Sequence, residues 1–305
     1  MDEHINDEHV NIASFFGEKD VRRRQSDLIS PGGNRPLSEA RIAQLRVLIL
    51  GGTREGAELA ARLSKRVDLT VVSSLAGRVA ELKLPEGDVR VGGFGGVDGL
   101  ASYLVNEKIS AVIDATHPYA ARIGQNAEIA CSRTGLPLIA LDRPPWNRLD
   151  CDRWYEADDF ESAALLVNVK NARVFLSIGR QELASFSACT NAWFLIRAIE
   201  KPTEHLPLHH QLVLQRGPFQ LEDELQLLRD HAIDYVVSKN SGGLATYNKI
   251  AAARSLGTPV VMVKRPFKHG VETFQTVENV VAKLDLLIRD ALRICNFDPE
   301  SSNPL

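Results

Sequence analysis

Four short stretches gather the residue types that hold a charged ligand. Gly51-Gly52-Thr53-Arg54-Glu55-Gly56 is a glycine-rich turn. Placed between a strand and a helix, it aims backbone N–H groups and the positive helix end outward, where a phosphate is stabilised. Its glycines let backbone approach a ligand closely. The spacing is not GxGxxG, and no Lys-Ser/Thr pair makes a Walker A loop. A plain tight turn is the alternative. Further on stand Ser73 and Ser74, then Ala76-Gly77-Arg78. An NAD-specific unit has an acidic residue here, about 20 residues past its glycines, for the ribose hydroxyls. This chain offers hydroxyls and a guanidinium, which suit a 2′-phosphate; an ordinary polar loop is the alternative.

The third stretch is Asp114-Ala115-Thr116-His117-Pro118-Tyr119-Ala120. It follows a strand directly and precedes a helix, the place where open α/β sheets bind ligands. Thr116, His117 and Tyr119 would face that crevice, although a lone histidine also serves as a helix cap. The fourth is Lys239-Asn240-Ser241-Gly242-Gly243, at the corresponding strand end of the second half. It suits a carboxylate-rich or phosphate ligand, with Ser241 or Asn240 read equally as a helix N-cap.

Other chemistries lack their patterns. His205, His209 and His210 are interrupted by Pro207, and no HExxH is present, so no metal site is expected. Ser177, Ser185 and Ser187 have no GxSxG context. Tyr119 and Tyr247 are followed four residues on by Ile123 and Ala251, which disfavours a short-chain dehydrogenase with its Tyr-x-x-x-Lys pair. Cys131, Cys151, Cys189 and Cys295 form no CxxC pair and read as reduced thiols of a cytoplasmic protein. The net charge of −3 argues against a nucleic-acid partner. No apolar run is long enough for a membrane span, and the N-terminus lacks a secretory core.

The elements that must position these residues alternate. Apolar runs at 47–50, 69–74, 109–115 and 137–142, with a further strand at 88–93, are separated by helical patterns at 53–66, 97–108 and 119–135. This is the grammar of a mostly parallel α/β sheet. Strands at 172–179, 192–199, 211–215, 234–239 and 259–264, a helix at 244–257 and a terminal amphipathic helix at 276–292 repeat it. At a constant offset of 122, Asn126, Ala130, Gly135, Pro137, Arg143 and Pro144 recur as Asn248, Ala252, Gly257, Pro259, Arg265 and Pro266. A duplication of two α/β domains is therefore expected: 45–150 for cofactor, then 151–295, with a cleft between them for ligand. Residues 1–44, polar and carrying Arg22-Arg23-Arg24, read as a poorly ordered extension, and 296–305 as a tail.

The segments LILGGTREGAELA, DATHPYAARIGQNA, SIGRQEL, RAIEKP, QRGPF and SKNSGGLATYNKIAAARSLGTPVVMVKRP resemble the precorrin-6A reductase family of cobalamin biosynthesis, from about residue 46 to 290. The resemblance implies two Rossmann-like domains and NADPH-dependent reduction of one C=C bond in a corrin precursor bearing many carboxylates. Together with the residue readings above, it points to Gly51, Gly52, Thr53, Arg54, Glu55, Gly56, Ser73, Ser74, Gly77, Arg78, Thr116 and His117 for the cofactor. It assigns the tetrapyrrole to Lys239, Asn240, Ser241 and Gly242, with Arg180, Arg197, Lys201 and Arg265 as further cations. His117, Lys239, Tyr119 or water would deliver the proton. Neighbouring pathway enzymes are conceivable partners. A non-catalytic nucleotide-binding sensor is the alternative function.

Overall fold

A computed structural model describes residues 45–77, 85–266 and 270–295, with side chains given up to 290. Arg78 and the two terminal extensions lie outside the described residues. The chain divides into two compact units, 1–142 with 268–305, and 143–267.

In the first unit, β1 (Leu45–Leu50), β2 (Leu69–Leu75), β3 (Asp88–Val91), β4 (Ile109–Asp114), β5 (Leu138–Leu141) and β12 (Glu272–Phe274) form one sheet. Its order is β12-β5-β4-β1-β2-β3, parallel at every pairing. The helices are α1 (Arg54–Leu63), α2 (Val97–Asn106), α3 (Ala121–Thr134) and α7 (Val277–Cys295). The VLIL run (47–50) of β1 is apolar throughout because both of its faces are covered. Val47 and Ile49 join Leu59 and Leu63 on one face, while Leu48 and Leu50 join Leu100, Leu104 and Cys131 on the other. Burial pushes the Cys131 thiol up to about 12, so it stays a neutral, small core residue.

The second unit repeats the plan. Its strands are β6 (Trp154–Ala157), β7 (Arg173–Ser177), β8 (Trp193–Ala198), β9 (His210–Leu214), β10 (Tyr235–Lys239) and β11 (Val260–Val263). Their order is β6-β11-β10-β7-β8-β9, again parallel throughout. The helices are α4 (Phe160–Val167), α5 (Leu221–Asp230) and α6 (Asn248–Leu256), with a 3₁₀ helix at Arg180–Phe186. The offset-122 echo has a structural counterpart. Helices α3 and α6 both end on a left-handed glycine, Gly135 (φ 69°) and Gly257 (φ 65°), before β5 and β11.

Two points differ from the sequence-based expectation. The first unit ends at Asp142, not 150, and the terminal helix belongs to it rather than to the second. Val277, Val280 and Leu284 of α7 pack on Leu59 and Leu63 of α1, and β12 adds to the sheet beside β5. An amphipathic pattern shows that a face will be buried, not against what.

Both sheets reverse strand order at one point, between β1 and β4 and between β7 and β10. Ligands of open α/β sheets bind at the carboxyl ends of the strands there.

Candidate active site

At the first switch point the register sets Ser74 and Asp114 on either side of Leu50. The backbone then leaves β1 through Gly51, whose N–H donates to the Ser74 carbonyl at 2.9 Å. Gly52 has φ +116°, and a Cβ built there would meet nothing within 4 Å. The residue must be glycine for its backbone, and the space beside it is open. Thr53 caps α1: its Oγ1 accepts from the Gly56 N–H (3.0 Å) and donates to the Ala115 carbonyl (2.8 Å). A Cβ on Gly56 would stand 3.2 Å from the Ala115 Cβ, so the helix N-terminus is pressed against the end of β4. Thr53 and Gly56 thus fix the turn, while Arg54 and Gly52 are exposed. Glu55 occupies the first turn of α1.

At the end of β2, Ser73 is 2% exposed and its Oγ has no hydrogen-bond partner among the described residues. The Ser74 Oγ accepts from Arg90 Nη1 at 3.3 Å. Arg90 on β3 also donates to the Gly92 and Gly93 carbonyls and lies over the Phe94 ring, 3.7 Å from its centroid. Sequence reasoning missed Arg90. Its signal was a lone arginine in a short strand followed by Gly92-Gly93-Phe94. Gly77, at φ +68°, has room for no Cβ, which would fall 2.8 Å from Val91.

At the end of β4, buried Asp114 accepts from the Thr116 N–H (3.0 Å) and hydroxyl (2.6 Å) through one carboxylate oxygen. This closes a local turn and commits Thr116 to it. His117 Nδ1 accepts from the Tyr119 N–H at 3.3 Å. The two rings are 5.7 Å apart and both are partly exposed.

In the second unit, Lys239 ends β10 and pairs with Glu182 at 2.8 Å. Burial pulls its ammonium below the ordinary lysine range, and Glu182 opposes that. The loop after it is braced. The Asn240 carboxamide accepts from the Trp146 N–H (2.7 Å) and donates to the Trp146 carbonyl (3.1 Å). Arg143 Nε donates to the Ser241 carbonyl. Gly242 has φ +66°, and a Cβ there would be 2.1 Å from the Pro144 carbonyl oxygen. Helix α6 starts only at Asn248, without a side-chain cap, so neither Asn240 nor Ser241 caps it.

Two cations expected to line the substrate side have partners within the second unit. Arg197 is buried, bonded to Glu224 at 2.7 Å and stacked 3.7 Å from the Phe219 ring centroid. Arg265 donates to the Asn240 and Arg143 carbonyls, a strut joining the two Arg-Pro exits of the internal echo. A guanidinium has five N–H donors and braces irregular backbone readily, a use that composition cannot distinguish from ligand binding. Asn240 is committed in the same way. Arg180 pairs with Glu200 at 3.2 Å, and Lys201 is exposed. Among the described residues, no cluster of His, Cys, Asp and Glu is placed to hold a metal ion, and no helix is long and apolar enough to cross a membrane.

Two doubly wound parallel sheets, each with its polar loops at the switch point, define a Rossmann-type α/β protein. Residues 46–285 match the family described as Precorrin-6x reductase CbiJ/CobK, and the chain belongs to that family. It is 47% identical to the precorrin-6A reductase of Rhodococcus erythropolis over 80% of this chain and 99% of that one. It is 49% identical to that of Mycobacterium tuberculosis H37Rv, over 72% and 89%. A cobalt-precorrin-6A reductase of Priestia megaterium is 25% identical over 78% and 97%. A solved structure of CobK precorrin-6A reductase superimposes with a TM-score of 0.74 at 40% identity, covering 80% of this chain and 97% of that one.

Proposed function

We propose that the protein reduces a C=C bond of precorrin-6A in cobalamin biosynthesis, with NADPH as hydride donor. The observation that carries this reading is the match, at 47% identity, to almost the whole length of a precorrin-6A reductase. The much lower identity to the cobalt-precorrin-6A enzyme favours precorrin-6A itself as substrate.

The first unit's residues fit a phosphorylated dinucleotide. The open space beside Gly52 admits a ligand to backbone N–H groups at the start of α1. The orphaned Ser73 hydroxyl at the end of β2 would gain the partner that burial otherwise denies it. No carboxylate occurs between Ser73 and Arg78 to repel a 2′-phosphate, and the Arg90 guanidinium stands beside Ser74. Gly51, Gly52, Thr53, Ser73, Ser74 and Arg90 are the proposed cofactor residues, joined by Arg78.

When bound, NADPH supplies the hydride. The protein's own contribution is to orient and to handle the proton. Lys239 offers positive charge to a carboxylate of the macrocycle. His117, whose ring lies 5.7 Å from that of Tyr119 at the end of β4, would deliver the proton from its imidazolium form. His117 is the preferred donor to the neighbouring carbon, ahead of Tyr119. The test is anaerobic incubation with precorrin-6A and NADPH for the wild type and His117→Ala. Consumption of NADPH by the wild type, slowed about 100-fold in the variant, supports both assignments. Wild-type turnover with an unimpaired variant removes His117 from the mechanism.

A further inference from the structure

We propose that Lys249 is a positioning residue for the substrate: a buried cation, deeper than Lys239, that strengthens the second unit's hold on an anionic group of the macrocycle. The proposal rests on the reading of the protein as a reductase of a carboxylate-bearing substrate and names a further residue of that site.

Lys249 lies in the first turn of α6 and is 2% exposed. Its Nζ stands 5.4 Å from the Trp146 ring centroid and makes no hydrogen bond or ion pair among the described residues. The charged groups acting on it come from three elements: Arg197 on β8 and Lys239 on β10 repel it, and Glu224 on α5 attracts it. The one carboxylate that acts on it is already engaged, Glu224 Oε1 by Arg197, and Lys239 is paired with Glu182. Glu224 Oε2 is buried without a hydrogen-bond partner, yet it does not meet Lys249. The positive end of α6 adds to the repulsion.

Packing does not explain this lysine. A methionine would fill similar space without placing an ammonium among two cations and a helix N-terminus. Of the three cations, Lys249 is the one with no carboxylate bonded to it among the described residues. A substrate carboxylate meeting Lys239, the more exposed of the two lysines, would supply a further negative charge. Burial pushes the Lys249 ammonium down to about 7, so around neutral pH the residue is held between its charged and neutral forms. An anion nearby favours the charged form, and binding therefore takes up a proton. Lys249 acts through the field at Lys239 and need not touch the substrate.

The experiment measures KM for precorrin-6A, with saturating NADPH, from pH 6.5 to 8.5 in the wild type and Lys249→Met. Wild-type KM should rise up to about tenfold across this range as Lys249 loses its proton. In the variant KM should already be raised about tenfold at pH 6.5 and be flat, with KM for NADPH little changed. Equal KM values at pH 6.5, or the same pH slope in both, overturn the proposal. A second measurement needs no variant: calorimetry of precorrin-6A binding to wild-type protein at pH 8 in two buffers of different ionisation enthalpy. Net uptake of about 0.4 proton supports the proposal, and no uptake overturns it. Wild-type protein that fails to turn over precorrin-6A contradicts the functional reading, and this proposal with it. Turnover with a flat KM contradicts the proposal alone.

Discussion

Lys249→Met should stabilise the second unit at neutral pH, and the size of the gain follows from its surroundings. The lysine is one of the four buried residues of α6, with Ile250, Ala252 and Ala253. Methionine keeps the unbranched shape and drops the charge. Burial lowers the ammonium from the ordinary 10.5 to about 7. At about 1.4 kcal/mol per tenfold in proton affinity, the unfolded chain gains about 4 kcal/mol over the folded one at pH 7. Here the folded-state value is the depressed one. The penalty is therefore full below pH 7 and fades as pH rises toward 10.5, to about 2 kcal/mol at pH 9. Repacking offsets up to about 1.5 kcal/mol of the gain. The expected net stabilisation is about 2–3 kcal/mol at pH 7 and near zero at pH 9. Trp146, Trp154 and Trp193 all lie in the 143–267 unit, so tryptophan fluorescence during urea unfolding reports this unit alone. A variant less stable than the wild type at pH 7, or one with the same gain at both pH values, would refute the reasoning. The positioning role predicts the accompanying loss in substrate binding, a trade of stability against function.

Three other substitutions probe the frame. Thr53→Val removes the cap of α1 and the bond to Ala115; it should cost about 1–2 kcal/mol in thermal unfolding and raise KM for NADPH. Gly242→Ala forces a Cβ onto the Pro144 carbonyl at positive φ; a loss of at least about 2 kcal/mol should appear as a lower unfolding midpoint, and an unchanged midpoint would contradict the bracing of this loop. Arg90→Met should raise KM for NADPH about tenfold and spare the weak reaction with NADH, as should Arg78→Ala. Equal losses with both cofactors would assign Arg90 to the fold, through its bonds to Gly92 and Gly93.

The strands nearest the switch points were legible because burial on both faces leaves unbroken apolar runs, as in β1 and β4. Two edge strands were not. β6 (WYEA) is four residues long and buried only at its two ends, and β12 (ETF) is three residues long and mostly exposed, so no periodicity separates them from loop. The loops around Gly51, Thr116 and Lys239 were found because glycine and polar residues stood at the ends of readable strands. What each side chain does there depends on contacts far apart in sequence. Arg265 is a strut only because Arg143 and Asn240 present carbonyls to it, and Arg197 is buried only because α5 brings Glu224. Lys249 looked like one more helical lysine. Its signal was its place on the buried side of NKIAAAR, in step with Ile250, Ala252 and Ala253.

The central claim is tested most directly by isotope transfer. Precorrin-6A and NADPH deuterated at the nicotinamide C4 are incubated anaerobically with the protein, and the macrocycle is analysed by mass spectrometry and NMR. Reduction by this enzyme predicts a product with one deuteron at a single carbon, formed with equal consumption of NADPH and absent without protein. Cofactor bound but never oxidised in the presence of precorrin-6A would contradict the account and leave a nucleotide-binding protein that is not a reductase of this macrocycle.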